Sequence, residues 1–127
     1  MTVEIDNAVI TSNVTETATT LTDVAGLVVT IGNITDGQTM ITAGMTFSMD
    51  GLRNVDMALA DDDTTIDSTQ MGQESDPANA RHNLTTFHTM SANGSEIQIQ
   101  VRVSGDTLTI IGNSSAPTSS IVSMSVG

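Results

Sequence analysis

Residues 36–49 read DGQTMITAGMTFSM, and their periodicity decides the fold class. Every second residue from Ile41 is apolar, giving Ile41, Ala43, Met45, Phe47 and Met49, while Thr42, Gly44, Thr46 and Ser48 between them are small or hydroxylated. Side chains alternate across a strand and recur every 3.6 residues along a helix, so this is the pattern of a strand with one dry face. Asp36 and Gly37 ahead of it form the dipeptide favoured in tight hairpin turns. The small residues of the second face leave room for another sheet or subunit to approach, which makes Thr42, Gly44, Thr46 and Ser48 the candidate subunit interface.

Further strands lie on both sides. Residues 24–34, VAGLVVTIGNI, are a continuous apolar run expected as a strand buried on both faces. RNVDMALA at 53–60 sets Val55, Met57 and Leu59 on one face. Residues 61–80, DDDTTIDSTQMGQESDPANA, are polar with weak periodicity and are expected as a long loop with room for a short strand near Ile66. HNLTTFHTM resumes the strand pattern, and EIQIQVRVS after the SANGS turn alternates most clearly, with Ile97, Ile99, Val101 and Val103 inward and Gln98, Gln100 and Arg102 outward. The SGD turn leads to TLTII, and SIVSMSV closes the chain with Met124 and Val126 expected in the core.

Ser and Thr total 34 of 127 residues, and neither favours the interior of a helix. Strands joined by Gly, Asn and Asp turns without helical periods predict an all-β chain, an antiparallel β-sandwich of the jelly-roll kind with about eight to ten strands. VEIDNAVI has strand character and TSNVTETATT reads as extended, so residues 1–22 are expected to form an extended amino-terminal arm. Residues 23–127 then form a single sandwich domain.

Composition narrows the function. Fifteen acids face three arginines, there is no lysine, and the formal charge is −12. Such a surface repels the phosphates of nucleic acid and resists compaction in dilute buffer. At about 1 M salt the Debye length is only about 3 Å, and the same surface becomes tolerable. Lysine-free, Asp-rich composition resembles that of proteins from salt-loving archaea and their viruses. No segment approaches the roughly 20 apolar residues of a membrane helix, the amino terminus has no signal-like apolar run, and no cysteine is present. The expectation is a chain with neither a nucleic-acid nor a membrane partner. Phe47 and Phe87 are the only aromatic side chains, so Val, Ile, Leu and eight Met must fill the core, which hints that neighbouring subunits complete it.

Asp61, Asp62, Asp63 and Asp67 form the densest acidic group and the candidate site for calcium or another cation, since hard cations take several oxygen ligands. A solvated acidic run is the plainer reading of the same residues. His82 and His88 share a strand face but stand roughly 20 Å apart by strand rise, too far to share a metal. No nucleophile elbow accompanies them, so no enzyme and no cofactor are expected. Asn13, Asn33, Asn83, Asn93 and Asn113 each open an N-x-Ser/Thr triplet, with Asn93 and Asn113 falling at turns.

Four stretches carry a resemblance: DGQTMITAGMTFSM, RNVDMALADDD, TMSANGSEIQIQVRV and TIIGNSSAPTSSIVSMSV. Their strand order and turn placement resemble the trimeric jelly-roll heads of the tumour necrosis factor and complement class, including versions on virus particles. The likeness covers residues 24–127 and implies a tight homotrimer. With the composition it leads to the expectation of a viral structural protein, a capsid decoration or turret on the virion of a halophilic archaeal virus, partnered by itself and by a major capsid or other virion protein. The alternative expectations are a receptor- or glycan-binding head of a spike or tail fibre, with its site in loops 61–81 and 112–118, and a secreted surface-layer domain.

Overall fold

A computed structural model describes residues 3–32, 37–49, 52–62, 64–75, 80–89, 95–105, 107–112 and 118–126, without the side chains of 52, 53, 67–75, 80 and 95. The chain is an antiparallel β-sandwich. Its ten described strands are β1 (Val3–Val9), β2 (Val14–Glu16), β3 (Thr22–Ile31), β4 (Gln38–Met49), β5 (Leu52–Asp61), β6 (Thr64–Ser75), β7 (Ala80–Thr89), β8 (Ser95–Val103), β9 (Leu108–Ile110) and β10 (Ser120–Val126). One sheet runs β1-β10-β4-β7 and the facing sheet runs β3-β8-β5-β6, with every neighbouring pair antiparallel. Sequential strands cross repeatedly between the two sheets, which is the jelly-roll order. The short β2-β9 ribbon continues the first sheet beyond β10 along the same edge of β4.

The opening stretch becomes the central strand β4. Ile41, Ala43, Met45 and Phe47 are fully buried and Met49 nearly so, as alternation predicts. They meet Val55, Met57 and Leu59 of β5 and Ile97, Ile99, Val101 and Val103 of β8 in one core cluster. At about 25 cal/mol per Å² of apolar surface removed from water, this cluster is the main source of stability. Where β10 leaves β4 and β9 takes over, Ser119 fills the gap: its Oγ accepts from the Thr46 N–H at 3.0 Å and donates to the Ile111 carbonyl at 3.1 Å.

Four expectations are corrected. Val3–Val9 is not an arm but a full strand, paired with β10 from Val3 opposite Val126 to Val9 opposite Ser120. The strand character of VEIDNAVI agrees with this, and its backbone donors and acceptors are satisfied along the edge of β10. Residues 64–75 form strand β6 rather than a loop, since a Thr- and Gln-rich segment suits an edge strand held by main-chain bonds to β5. β3 is buried on one face only, and Gly26, at φ +84°, forms the irregularity that shifts its register against β8. Phe87 is 74% exposed on β7, so Phe47 is the sole buried aromatic among the described residues. Met124 and Val126 point outward, and Ser123 and Ser125 take their expected places inside.

Candidate functional site

The outer face of the β1-β10-β4-β7 sheet carries the most unusual surface. Register places Ile5 beside Met124, Met124 beside Met40, and Met40 beside Phe87, an apolar row across four strands. Val3 and Val126 flank it on one side and Val122 on the other. Cross-strand neighbours on one face lie about 4.5–5.5 Å apart, so these side chains form a continuous patch. No acid or base interrupts its rows, although the chain carries a formal charge of −12. With Val9, the exposed members present on the order of 600 Å² to solvent, at the upper end for a soluble monomer. Over Val3–Asp6 and Val122–Val126, β1 and β10 thus show a reversed sidedness, apolar outward and polar inward, whereas Ala8 and Ile121 still face the core.

Next to this patch lies the predicted interface of β4. Thr42 is exposed, Ser48 is half-buried, and Gly44 and Thr46 are buried. What covers the last two belongs to the same chain. Arg81 of β7 donates from Nη1 to Thr46 Oγ1 at 2.8 Å and to the Thr118 carbonyl at 3.1 Å. A Cβ on Gly44 would overlap the Arg81 guanidinium, so the glycine makes room for an arginine of the same chain. Sequence reading detected the need for close approach but not its origin, because β7 is almost 40 residues downstream of Gly44.

Of the predicted acidic site, the side chains of Asp61 and Asp62 are described. Asp61 ends β5 opposite Thr64, and Asp62 occupies the turn at φ +46°, a left-handed position that Asp tolerates well. Asp62 Oδ1 accepts the Glu96 N–H at 2.9 Å, which ties the turn to β8. Asp63 and the side chain of Asp67 lie outside the described residues. Asp61 Oδ2 sits 2.7 Å from His88 Nε2, a partner from β7 that the sequence reading did not foresee. Asp61, Asp62, Thr64, Ile66 and His88 line an open cleft of about 360 Å³. Among the described residues, no group of three or more His, Asp or Glu side chains is arranged to hold a metal ion. His82 lies partly buried beneath β7, its Nε2 has no hydrogen-bond partner, and burial lowers its pKa.

Of the N-x-Ser/Thr asparagines, Asn13 and Asn83 are exposed, and Asn13 Oδ1 accepts the Gly112 N–H at 3.0 Å. Asn33, Asn93 and Asn113 lie outside the described residues. Arg102 pairs with Asp56 on the outer face of the second sheet, and Gln100 donates to Asp23 Oδ1 at 2.8 Å. The outward residues of β8 are therefore tied to neighbouring strands rather than free for a ligand.

The fold has counterparts among solved structures. A chain of infectious bursal disease virus, Gx strain, superposes with TM-score 0.60 at 9% identity, over 98% of this chain and 32% of that one. The VP2 subviral particle of infectious bursal disease virus gives 0.50 at 12% identity, over 98% and 32%. The insecticidal delta-endotoxin Cry8Ea1 of Bacillus thuringiensis gives 0.54 at 11% identity, over 91% and 20%. This chain therefore spans about a third or less of each of these chains. At such identities the likeness shows the sandwich and nothing of its use, and a virus and a toxin share it. No family model matches the sequence, and no curated protein is similar to it.

Proposed function

We propose that this chain is a structural protein of a virus particle, assembling as a homotrimer that decorates or forms a turret on the capsid of a halophilic archaeal virus. The observation that carries the reading is the uncharged apolar patch on the outer face of β1-β10-β4-β7. A strongly acidic protein that turns Val3, Ile5, Phe87, Val122, Met124 and Val126 to the outside has one surface on which copies can meet without bringing carboxylates together. The likeness to chains of infectious bursal disease virus supports a place in a particle. In this reading the patch is buried against neighbouring copies or the major capsid protein, and the acidic remainder keeps the virion hydrated in brine. The work is geometric, with no catalytic step, no nucleic acid and no membrane.

Light scattering on the full chain in about 2 M KCl, where surface charge is screened, is expected to give three chains per particle. Ile5→Glu with Met124→Glu is expected to give a folded monomer. A wild-type monomer at every salt concentration overturns the trimer.

The cleft of Asp61, Asp62, Thr64, Ile66 and His88 favours a second reading, a receptor- or glycan-binding head. In that case excess soluble protein blocks attachment of virus to cells, and His88→Ala relieves the block.

A further inference from the structure

The reversed sidedness that brings apolar groups out on β1 and β10 also takes acids in. Glu4 and Asp6 both face the inner side of the sandwich and are half-buried. Glu4 Oε2 accepts the Gly32 N–H at 3.0 Å, which anchors it at the end of β3. Asp6 stands directly opposite Ser123, so the carboxylate and the hydroxyl project from adjacent strands into the same space. The Ser123 side chain is fully buried, yet its Oγ has no hydrogen-bond partner, and the buried Oδ2 of Asp6 has none either. Buried polar atoms are nearly always paired, so two unpaired oxygens on facing residues point to a missing partner.

The partner is not supplied by the surrounding strands. Ser125 is engaged with Thr39 at 2.9 Å, and the buried face of β3, which packs across β1, offers Leu27, Val29 and Ile31. Arg81 is bound to Thr46 and Thr118, Arg102 to Asp56, and His88 to Asp61. A side-chain hydrogen bond joins Asp6 to Glu4, which brings the two acids together beside Ser123. Facing carboxylate and hydroxyl oxygens near an open sandwich edge suit a hard cation, which takes oxygen ligands and fills its remaining positions with water.

We propose that Glu4, Asp6 and Ser123 bind a divalent cation of the calcium class between β1 and β10, stapling the first strand to the last. The ion replaces the missing partner of both oxygens and neutralises the paired acids. This site is separate from the Asp61–Asp62 turn.

The test is calcium chloride added to the full chain in about 2 M KCl, enough salt to screen diffuse attraction to the acidic surface. At about pH 7.5, saturating calcium is expected to raise the thermal midpoint by about 5 °C or more. Asp6→Asn abolishes that rise, Asp62→Asn preserves it, and Ser123→Ala weakens calcium affinity about tenfold. Without calcium, the Asp6 contribution to stability is fully present below pH 3.8 and is lost as pH rises through about 6, because the folded state holds its proton more tightly. The proposal is overturned if calcium leaves the wild-type midpoint unmoved, or if Asp6→Asn responds like wild type. Should Asp6→Asn fail to fold, an unchanged calcium affinity in Ser123→Ala overturns it instead.

Discussion

The strand pair β4–β5 and the strand pair β1–β10 obey the same alternation with opposite results. In β4 and β5 the apolar residues face the second sheet, and Phe47, Met45, Met57 and Leu59 are completely buried. In β1 and β10 Val3, Ile5, Val122, Met124 and Val126 face away, and Glu4, Asp6, Ser123 and Ser125 occupy the inner side next to Ala8 and Ile121. A strand has two faces and a period of two, so shifting the register by one residue exchanges them. The first pair is therefore specified by the core of a single chain. The second leaves its apolar side uncovered by the chain's own strands.

Mutations on the two pairs should separate these roles. The largest effect belongs to the conventional pair: Phe47→Ala is expected to cost about 3–5 kcal/mol in urea unfolding, since it leaves a cavity at the centre of the core. Gly44→Val comes next, at about 1–3 kcal/mol, because the new side chain displaces the Arg81 guanidinium from Thr46. Combining it with Arg81→Ala should recover part of that loss, and full additivity in the double-mutant cycle would rule out the contact as its cause. On the reversed pair, Ser123→Ala in divalent-free buffer is expected to be neutral or to stabilise by about 1 kcal/mol, since it removes an unpaired buried hydroxyl. The smallest change is Met124→Ser, within about 0.5 kcal/mol on monomer stability, accompanied by loss of self-association in sedimentation. A core-sized destabilisation by Met124→Ser would dissolve the contrast between the two pairs.

Much of the fold was legible because binary pattern is a local property. The alternation in 41–49 and 97–103 placed two central strands and their inner faces, and the absence of helical periods set the all-β class. The closing strand SIVSMSV misled for a physical reason. Its apolar residues alternate cleanly, but alternation does not say which face meets the core. The 61–80 segment read as a loop because edge strands rest on main-chain bonds and need little apolar pattern.

The candidate sites were less legible, since each is made by residues far apart in sequence. The triple aspartate was visible, whereas His88 as the partner of Asp61 required β7 to lie beside the β5–β6 turn. Gly44 signalled close approach, and only the β4–β7 register showed that Arg81 fills the space. The row of Ile5, Met124, Met40 and Phe87 joins both ends of the chain with its middle.

By itself the sequence determined that this chain makes strands, that its core is aliphatic, and that its net charge is strongly negative, because periodicity, side-chain size and charge act locally or sum over the whole molecule. The tertiary structure alone decided which apolar residues are left outside and which acids are taken in, because strand register and sheet order are settled between segments rather than within them.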